Sequence, residues 1–204
     1  MSQIKPTAGI ILAAGASTRL GRPKQLLRLR GKYLIEWVLD AALASRLAII
    51  VLVLGHAHHK ILQALGAKIE HAKLQIEINP LYQKGQSKSL QVGLSKVMNT
   101  YPAAMFLLAD QPLVDASAID YLLDSFWSAE KDICIPTIDG KRGNPVTFTN
   151  TLYPQIMNIT GDMGARRVIR SHPERILEIE INNPHLFMDI DTPQDLERIK
   201  KLTL

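Results

Sequence analysis

The stretch "GIILAAGASTRLGRPKQLL", Gly9 to Leu27, decides how the rest of the chain is read. An apolar run of strand character breaks at Gly15 into a polar loop that carries Gly21, Arg19 and Lys24. Glycines let a backbone turn tightly and bring its N–H groups close to phosphate oxygens. Ser17 and Thr18 add hydroxyl donors to the loop. Arg19 offers a planar fork and Lys24 a movable point charge, two ways of holding an anion. The spacing is neither G-x-G-x-x-G nor G-x-x-x-x-G-K-[ST], so neither a dinucleotide fingerprint nor a P-loop is present. The competing reading of the loop is a solvated basic turn.

Outward from this loop, short apolar runs alternate with helical patterns. Strands are expected over 8–14, 48–54, 74–78, 104–109 and 133–136, and helices over 33–44, 58–65, 87–98 and 116–129. The strands are near-continuous in Val, Ile, Leu and Ala, as for strands covered on both faces. Leu34, Trp37, Val38, Ala41 and Ala42 recur at helical spacing. The rhythm predicts an α/β fold with a mostly parallel sheet and helices on both faces. After residue 138 the pattern changes to a mixed C-terminal part. "IDGKRGNPVTF" reads as a turn and a strand, "GDMGARRVIRSHP" as a loop entering a short helix, and "RILEIEI" as a half-exposed strand. Thr192, Pro193 and Asp195 then form a helix-start signal for a closing helix.

The chain of 204 residues suits one domain, and its 47% apolar content is enough for a core. No internal repeat, linker or low-complexity tract interrupts it. The net charge is +5, but no dense basic block points to nucleic acid. Cys134 is the single cysteine, flanked by Ile133 and Ile135, which fits an inert buried position in a reducing compartment. No apolar run is long enough for a signal segment or a membrane span. A cytoplasmic location is expected, with no membrane partner.

Five further stretches carry chemistry. In "MFLLADQPLVD" an apolar strand ends at Asp110, where a carboxylate beside a phosphate loop would hold Mg²⁺. A helix-entry turn closed by Asp110 is the plain alternative. In "NPLYQKGQSKSLQVGL", Gly85, Ser87 and Ser89 mark a helix start suited to an anion or a polar base edge, or simply a serine cap. In "MDIDTPQDL", Asp189 and Asp191 alternate on an extended segment, so one could join Asp110 on a metal while the other braces. Acids this close need a cation or donors to neutralise them. "GKRGNPVTF" and "TGDMGARRVI" each pair two glycines with arginine, like loops that clasp an anionic second substrate; Arg166 and Arg167 also fit ordinary helix surface. His56, His58 and His59 in "GHAHH" have no fourth ligand at zinc spacing and read as solvated loop.

Together these stretches resemble a known family. "LAAGASTRLGRPK" resembles the L-A-A-G-x-S-x-R-x-G-x-x-K signature of nucleotidyltransferases. "LLADQPLV", "RGNPVTF", "GDMGARRVI" and "DIDTPQDL" resemble the branch that forms pterin nucleotides, the molybdenum cofactor cytidylyltransferases. The likeness runs from residue 9 to about 198. It implies a Rossmann-like three-layer nucleotidyltransferase fold with a small C-terminal mixed lobe. Residues up to about 138 would serve the nucleotide and 139–204 the acceptor. It also implies that CMP passes from CTP to molybdopterin, with Mg²⁺ as cofactor and pyrophosphate released. The "LAAG" form is similar to the cytidylyl branch, since guanylyl relatives usually carry glycine where Ala14 stands. Gln86 stands where the family shows Met, and Lys88 adds a charge.

The roles implied by the resemblance are residue-specific. Arg19, Lys24 and Asp110 would be catalytic. Leu12, Ala13, Ala14, Gly15, Ser17, Arg19, Gly21, Lys24, Asn79, Gly85, Ser87 and Ser89 would bind the nucleotide. Asp110 with Asp191 or Asp189 would hold the metal, and Arg142, Gly143, Asn144, Pro145, Gly161, Asp162, Gly164 and Arg166 the acceptor. A molybdoenzyme or its chaperone could receive the product. GTP-using, sugar-phosphate or polyol-phosphate transfer are the neighbouring alternatives, and a non-catalytic cofactor carrier is the alternative of another class.

Overall fold

The computed structural model describes residues 5–17, 21–161 and 164–202. The elements follow one another as β1 (Thr7–Ala13), a small hairpin of β2 (Arg28–Leu29) and β3 (Lys32–Tyr33), α1 (Leu34–Ala44), β4 (Ile49–Leu54), α2 (His58–Leu65) and β5 (Leu74–Ile78). Then come α3 (Gln86–Ser95), β6 (Ala103–Leu108), α4 (Ala116–Ser128) and β7 (Ile133–Ile138). The C-terminal part supplies β8 (Lys141–Arg142), β9 (Val146–Thr149), α5 (Tyr153–Met157), α6 (Arg166–Ser171), β10 (Ile176–Glu180) and α7 (Pro193–Lys200).

One eight-stranded sheet runs in the order β10-β7-β9-β6-β1-β4-β5, with β8 paired to β7. Strands β5, β4, β1 and β6 are parallel, and β10 lies parallel to β7. Strand β9 enters antiparallel between β6 and β7. The mixed character read in the C-terminal sequence is therefore expressed inside the same sheet. Composition alone could announce a strand there but not its slot between two earlier ones.

The period-2 geometry of β1 sorts its side chains to two faces. Ile11 and Ala13 join a core with α1, α2 and α4, through Ile35, Leu39, Ile61, Leu122 and Phe126. Ala8 and Ile10 join a second core with α3, α5 and α6, through Leu90, Leu94, Ile156, Val168 and Ile169. This is why β1 reads as unbroken apolar sequence: both faces are covered. A third cluster docks α7 on the hairpin, with Leu27, Leu29, Leu113, Ile190, Leu196 and Ile199 buried together. The expected start of α7 forms: Thr192 Oγ1 accepts from the Asp195 N–H at 3.2 Å, and Asp195 Oδ2 accepts from the Thr192 N–H at 2.8 Å.

From β1 the chain builds outward to β4 and β5, then returns to place β6 on the other side of β1. Strand order reverses there, so a crevice opens at the carboxyl ends of β1 and β6, where ligands sit in open α/β sheets. Helix α3 roofs it only because Gly93 lets the helix approach closely. A Cβ at Gly93 would lie 2.4 Å from Cγ2 of Ile10 and 3.0 Å from Cγ2 of Val53, both rigid branched atoms in buried side chains. Gly93→Ala is therefore expected to destabilise the fold by about 1–3 kcal/mol through overpacking, net of the ~1 kcal/mol that alanine contributes as a helix former. Urea unfolding of the two proteins measures it, and an unchanged or raised midpoint would contradict the close approach.

Candidate active site

The loop after β1 walls a cavity of about 320 Å³. Leu12, Ala14 and Gly15 form one side, Gly85, Gln86 and Ser89 another, and Lys24, Gln25 and Asp110 close it. Gly15 has an ordinary φ, and a Cβ there would touch no protein atom within 4 Å. Its bareness leaves room for a ligand rather than serving the turn. Ser17 and Gly21 supply the left-handed backbone, with φ of 52° and 63°. Ser17 Oγ accepts the Lys24 N–H at 3.1 Å, which starts the single 3-10 turn Lys24–Leu26 and aims the lysine. Its hydroxyl proton stays available for an anion.

Gln25 is the residue that sequence reasoning missed here. It is 2% exposed, and its Nε2 donates to the Ala13 carbonyl at 2.9 Å and the Gly15 carbonyl at 3.3 Å. One amide thus holds both ends of the turn that faces the cavity. The available signal was a polar side chain directly ahead of the apolar pair Leu26 and Leu27. Ala13 contributes that carbonyl and does not line the cavity.

On the opposite wall, Ser89 reaches the cavity while Asn79 and Ser87 stand behind it. Asn79 donates to Ser89 Oγ at 3.0 Å and accepts from the Leu81 N–H at 2.9 Å, so it braces the strand-to-helix connection. Ser87 is fully buried, and its N–H donates to the Gly161 carbonyl at 3.2 Å. Gly85, with φ of 100°, opens α3 beside the cavity. Arg19 and Asp162 lie outside the described residues.

The acidic groups meet at the mouth. Lys24 Nζ donates to Asp110 Oδ2 and, at 2.8 Å, to Asp191 Oδ1. The Ile190 N–H donates to the Asp110 carbonyl at 3.0 Å, tying the 189–191 segment to the end of β6. Gln111, itself buried, donates through Nε2 to Asp189 Oδ1 at 2.9 Å and to the Phe187 carbonyl at 3.1 Å. Gln111 too was absent from the expected site. Burial pulls the Lys24 pKa down, but the carboxylate of Asp110, joined by Asp191, outweighs this and raises it above its ordinary value. The lysine is therefore a cation at neutral pH. Desolvation, then the Asp110 charge, push Asp189 up to about 6 against the opposing pull of the Gln111 hydrogen bond.

This donor set fits a hard divalent cation. Asp110 and Asp191 already converge on one positive nitrogen, and oxygen ligands of this kind suit Mg²⁺ together with phosphate oxygens and water. Among the described residues no group of three or more His, Cys, Asp or Glu side chains is arranged to hold a metal by itself. His56, His58 and His59 thus form no such site. Cys134 is buried, and desolvation pushes its thiol up to about 12, so it is inert as expected.

Beyond the first cavity, Leu12, Gln86 and Leu108 also line a neck of about 90 Å³ that includes Asn144 and Arg166. Asn144 and Arg166 continue into an outer cavity of about 310 Å³ with Arg142, Gly143 and Arg170. Pro145 is buried and lines neither space. Gly161 acts through its carbonyl on Ser87. Gly164, at φ of 54°, packs so near Gln86 that a Cβ would come 2.6 Å from Oε1. Arg170 was not among the expected site residues.

A glycine loop at a topological switch point, with a lysine shared by carboxylates and a second cavity behind it, defines a phosphate-handling enzyme of the nucleotidyltransferase class. The MobA-like NTP transferase domain matches residues 9–176, and the chain belongs to that family of nucleotidyltransferases. It is 30% identical over 199 residues to the purine catabolism protein PucB of Bacillus subtilis, covering 95% of each chain. It is 29% identical over 198 residues to nicotine blue oxidoreductase of Paenarthrobacter nicotinovorans, covering 94% of this chain and 95% of that one. A probable molybdenum cofactor guanylyltransferase of Natranaerobius thermophilus is 22% identical over 209 residues, with 95% of each covered. The crystal structure of Rv0371c from Mycobacterium tuberculosis superposes with a TM-score of 0.85 at 25% identity, over 98% of this chain and 100% of that one. The family and the Rossmann-like fold read from the motifs are thus both borne out. Among the described residues no helix is long and apolar enough to cross a membrane.

The Asp189 shift has a testable sign. Its folded value near 6 stands above the ordinary 3.8, so the folded protein holds the proton more tightly than the unfolded chain, and stability falls as pH rises through 6. Without added metal, Asp189→Asn is expected to raise the thermal midpoint at pH 7. That gain should shrink on acidification and disappear below about pH 4, where both chains are neutral at this position. A gain independent of pH would reject the assignment.

Proposed function

We propose that the protein transfers CMP from CTP to the terminal phosphate of molybdopterin, releasing pyrophosphate. The observation that carries the reading is the Lys24 ammonium, shared by Asp110 and Asp191 at the mouth of a cavity under a glycine loop. A phosphate acceptor approaching a triphosphate needs this arrangement, because negative groups must be brought together and neutralised.

In this reading the loop from Leu12 to Gly15 presents backbone donors to the nucleotide, and Ser17 and Gly21 keep Lys24 aimed at its phosphates. By the family signature, Arg19 would share the phosphate-holding role of Lys24. Lys24 exchanges its carboxylates for the triphosphate and stabilises charge on the α-phosphoryl and leaving groups. Asp110 and Asp191 would hold Mg²⁺, which when bound would supply a Lewis acid for the phosphoryl transfer. Asp189, held by Gln111, braces the segment. The acceptor lies along the neck and outer cavity, contacting Arg142, Gly143, Asn144 and Arg166. Its terminal phosphate oxygen attacks the α-phosphorus as the bond to pyrophosphate breaks. No general base is required, since a phosphate monoester is already ionised near neutral pH. Residues to about 138 serve the nucleotide and those after it the acceptor, within one unit. Ala14 lines the cavity where guanylyl relatives usually carry glycine, and this supports CTP over GTP. The product would pass to a molybdoenzyme or its chaperone in the cytoplasm.

Pyrophosphate release with molybdopterin and Mg²⁺, compared for CTP, GTP and ATP, tests the reading. Release with CTP above the others is expected. Release with GTP alone or with a sugar phosphate instead, or binding without release, would replace it by guanylyl transfer, sugar-phosphate transfer or a carrier role. Lys24→Ala should lower the rate by roughly 10²–10³, by analogy with the loss of a preorganised charge-stabilising donor. Asp110→Asn should move the Mg²⁺ titration to higher concentration, and an unmoved titration would take Asp110 out of the metal site.

A further inference from the structure

The outer cavity has a charge that the reacting phosphate does not use. Its floor is apolar, made by Ile135, Val146 and Ile169, and its rim carries Arg142, Arg166 and Arg170. Arg142 is already neutralised: its Nε donates to Glu178 Oε1 at 2.6 Å. Among the described residues neither Arg166 nor Arg170 is paired with a carboxylate. The two stand one helical turn apart on α6, where like charges repel. Among the described residues, two guanidiniums without a carboxylate partner therefore line one space over an apolar floor.

The reacting phosphate of an acceptor must lie beside the nucleotide, at Lys24 and Asp110, on the far side of the narrow neck. It cannot also neutralise the outer pair. We infer that Arg166 and Arg170 form a second anion subsite, so that the acceptor carries, on a flat ring body, a further anionic group besides its reacting phosphate. The inference rests on the proposed acceptor route through the neck, and it makes Arg170 a specificity-determining residue. Planar guanidinium forks suit both a carboxylate-like or oxo anion and the face of a flat ring. Val146 and Ile169 complete the ring's apolar seat.

Isothermal titration of the nucleotide-free protein with 2-naphthyl phosphate and with its 6-carboxylate analogue compares one anionic group with two on the same ring. The carboxylated probe is expected to bind the wild type roughly tenfold more tightly, the size of one charge-assisted hydrogen bond. In Arg170→Gln and in Arg166→Gln the advantage should fall to about twofold or less, and in Arg170→Lys part of it should return. Arg167→Gln, on the same helix but lining neither the neck nor the outer cavity, should keep it in full. Equal affinities in the wild type, or an advantage untouched by Arg170→Gln, would overturn the inference. Failure of the molybdopterin reading would show separately, as no pyrophosphate release with that acceptor while the probe contrast persists.

Discussion

The site depends on one shared cation. Lys24 comes from the loop after β1, Asp110 from the end of β6, and Asp191 from the segment ahead of α7, separations of 86 and 167 residues along the chain. Without the ammonium, carboxylates gathered at one cavity mouth would repel and raise one another's pKa; at Asp189, raised first by burial, the Asp110 charge already adds to the rise. The three elements are held to this meeting by interactions that touch no ligand. Gln25 fastens the loop, the Ile190 N–H fastens the acidic segment to Asp110, and the apolar cluster of Leu29, Ile190 and Ile199 docks α7.

The same arrangement separates the charges of the molecule. At the nucleotide end, a cation is balanced by acids that can exchange it for phosphate and metal. At the outer end, among the described residues, arginines outnumber their carboxylate partner. Between them lies a neck of mostly apolar side chains, including Leu12, Leu90 and Phe106. A bound anion therefore meets opposite conditions along one path: a site balanced by acids at one end and, among the described residues, one with more guanidiniums than carboxylates at the other. The packed cores on the two faces of the sheet hold both ends in fixed relation, because close-packed interiors resist small displacements.

Much of this was legible before any tertiary contact was known. The unbroken apolar runs announced covered strands, and Lys24, Asp110 and Asp191 were all named from their places at loop and strand ends. Gln25, Gln111 and Arg170 were not. Two of these are amides whose partners are main-chain carbonyls or a distant aspartate, and nothing local in a sequence marks such a partner. Asn79 and Ser87 were expected as nucleotide contacts through the resemblance, and the structure buries both behind the wall that Ser89 presents. Which side of a short connection faces a cavity depends on backbone direction, not on residue type.

The sequence by itself determined the class of fold, the loop, and the residue types able to handle phosphate, because hydrophobic period, turn-forming glycines and charge are local properties. Tertiary structure alone decided the rest. It slotted β9 antiparallel between β6 and β7, chose Asp191 over Asp189 as the acid that shares Lys24 with Asp110, and turned Arg166 and Arg170 toward one space. Those outcomes follow from packing and hydrogen bonds between segments far apart in the chain, and such contacts leave no periodic trace in the order of residues.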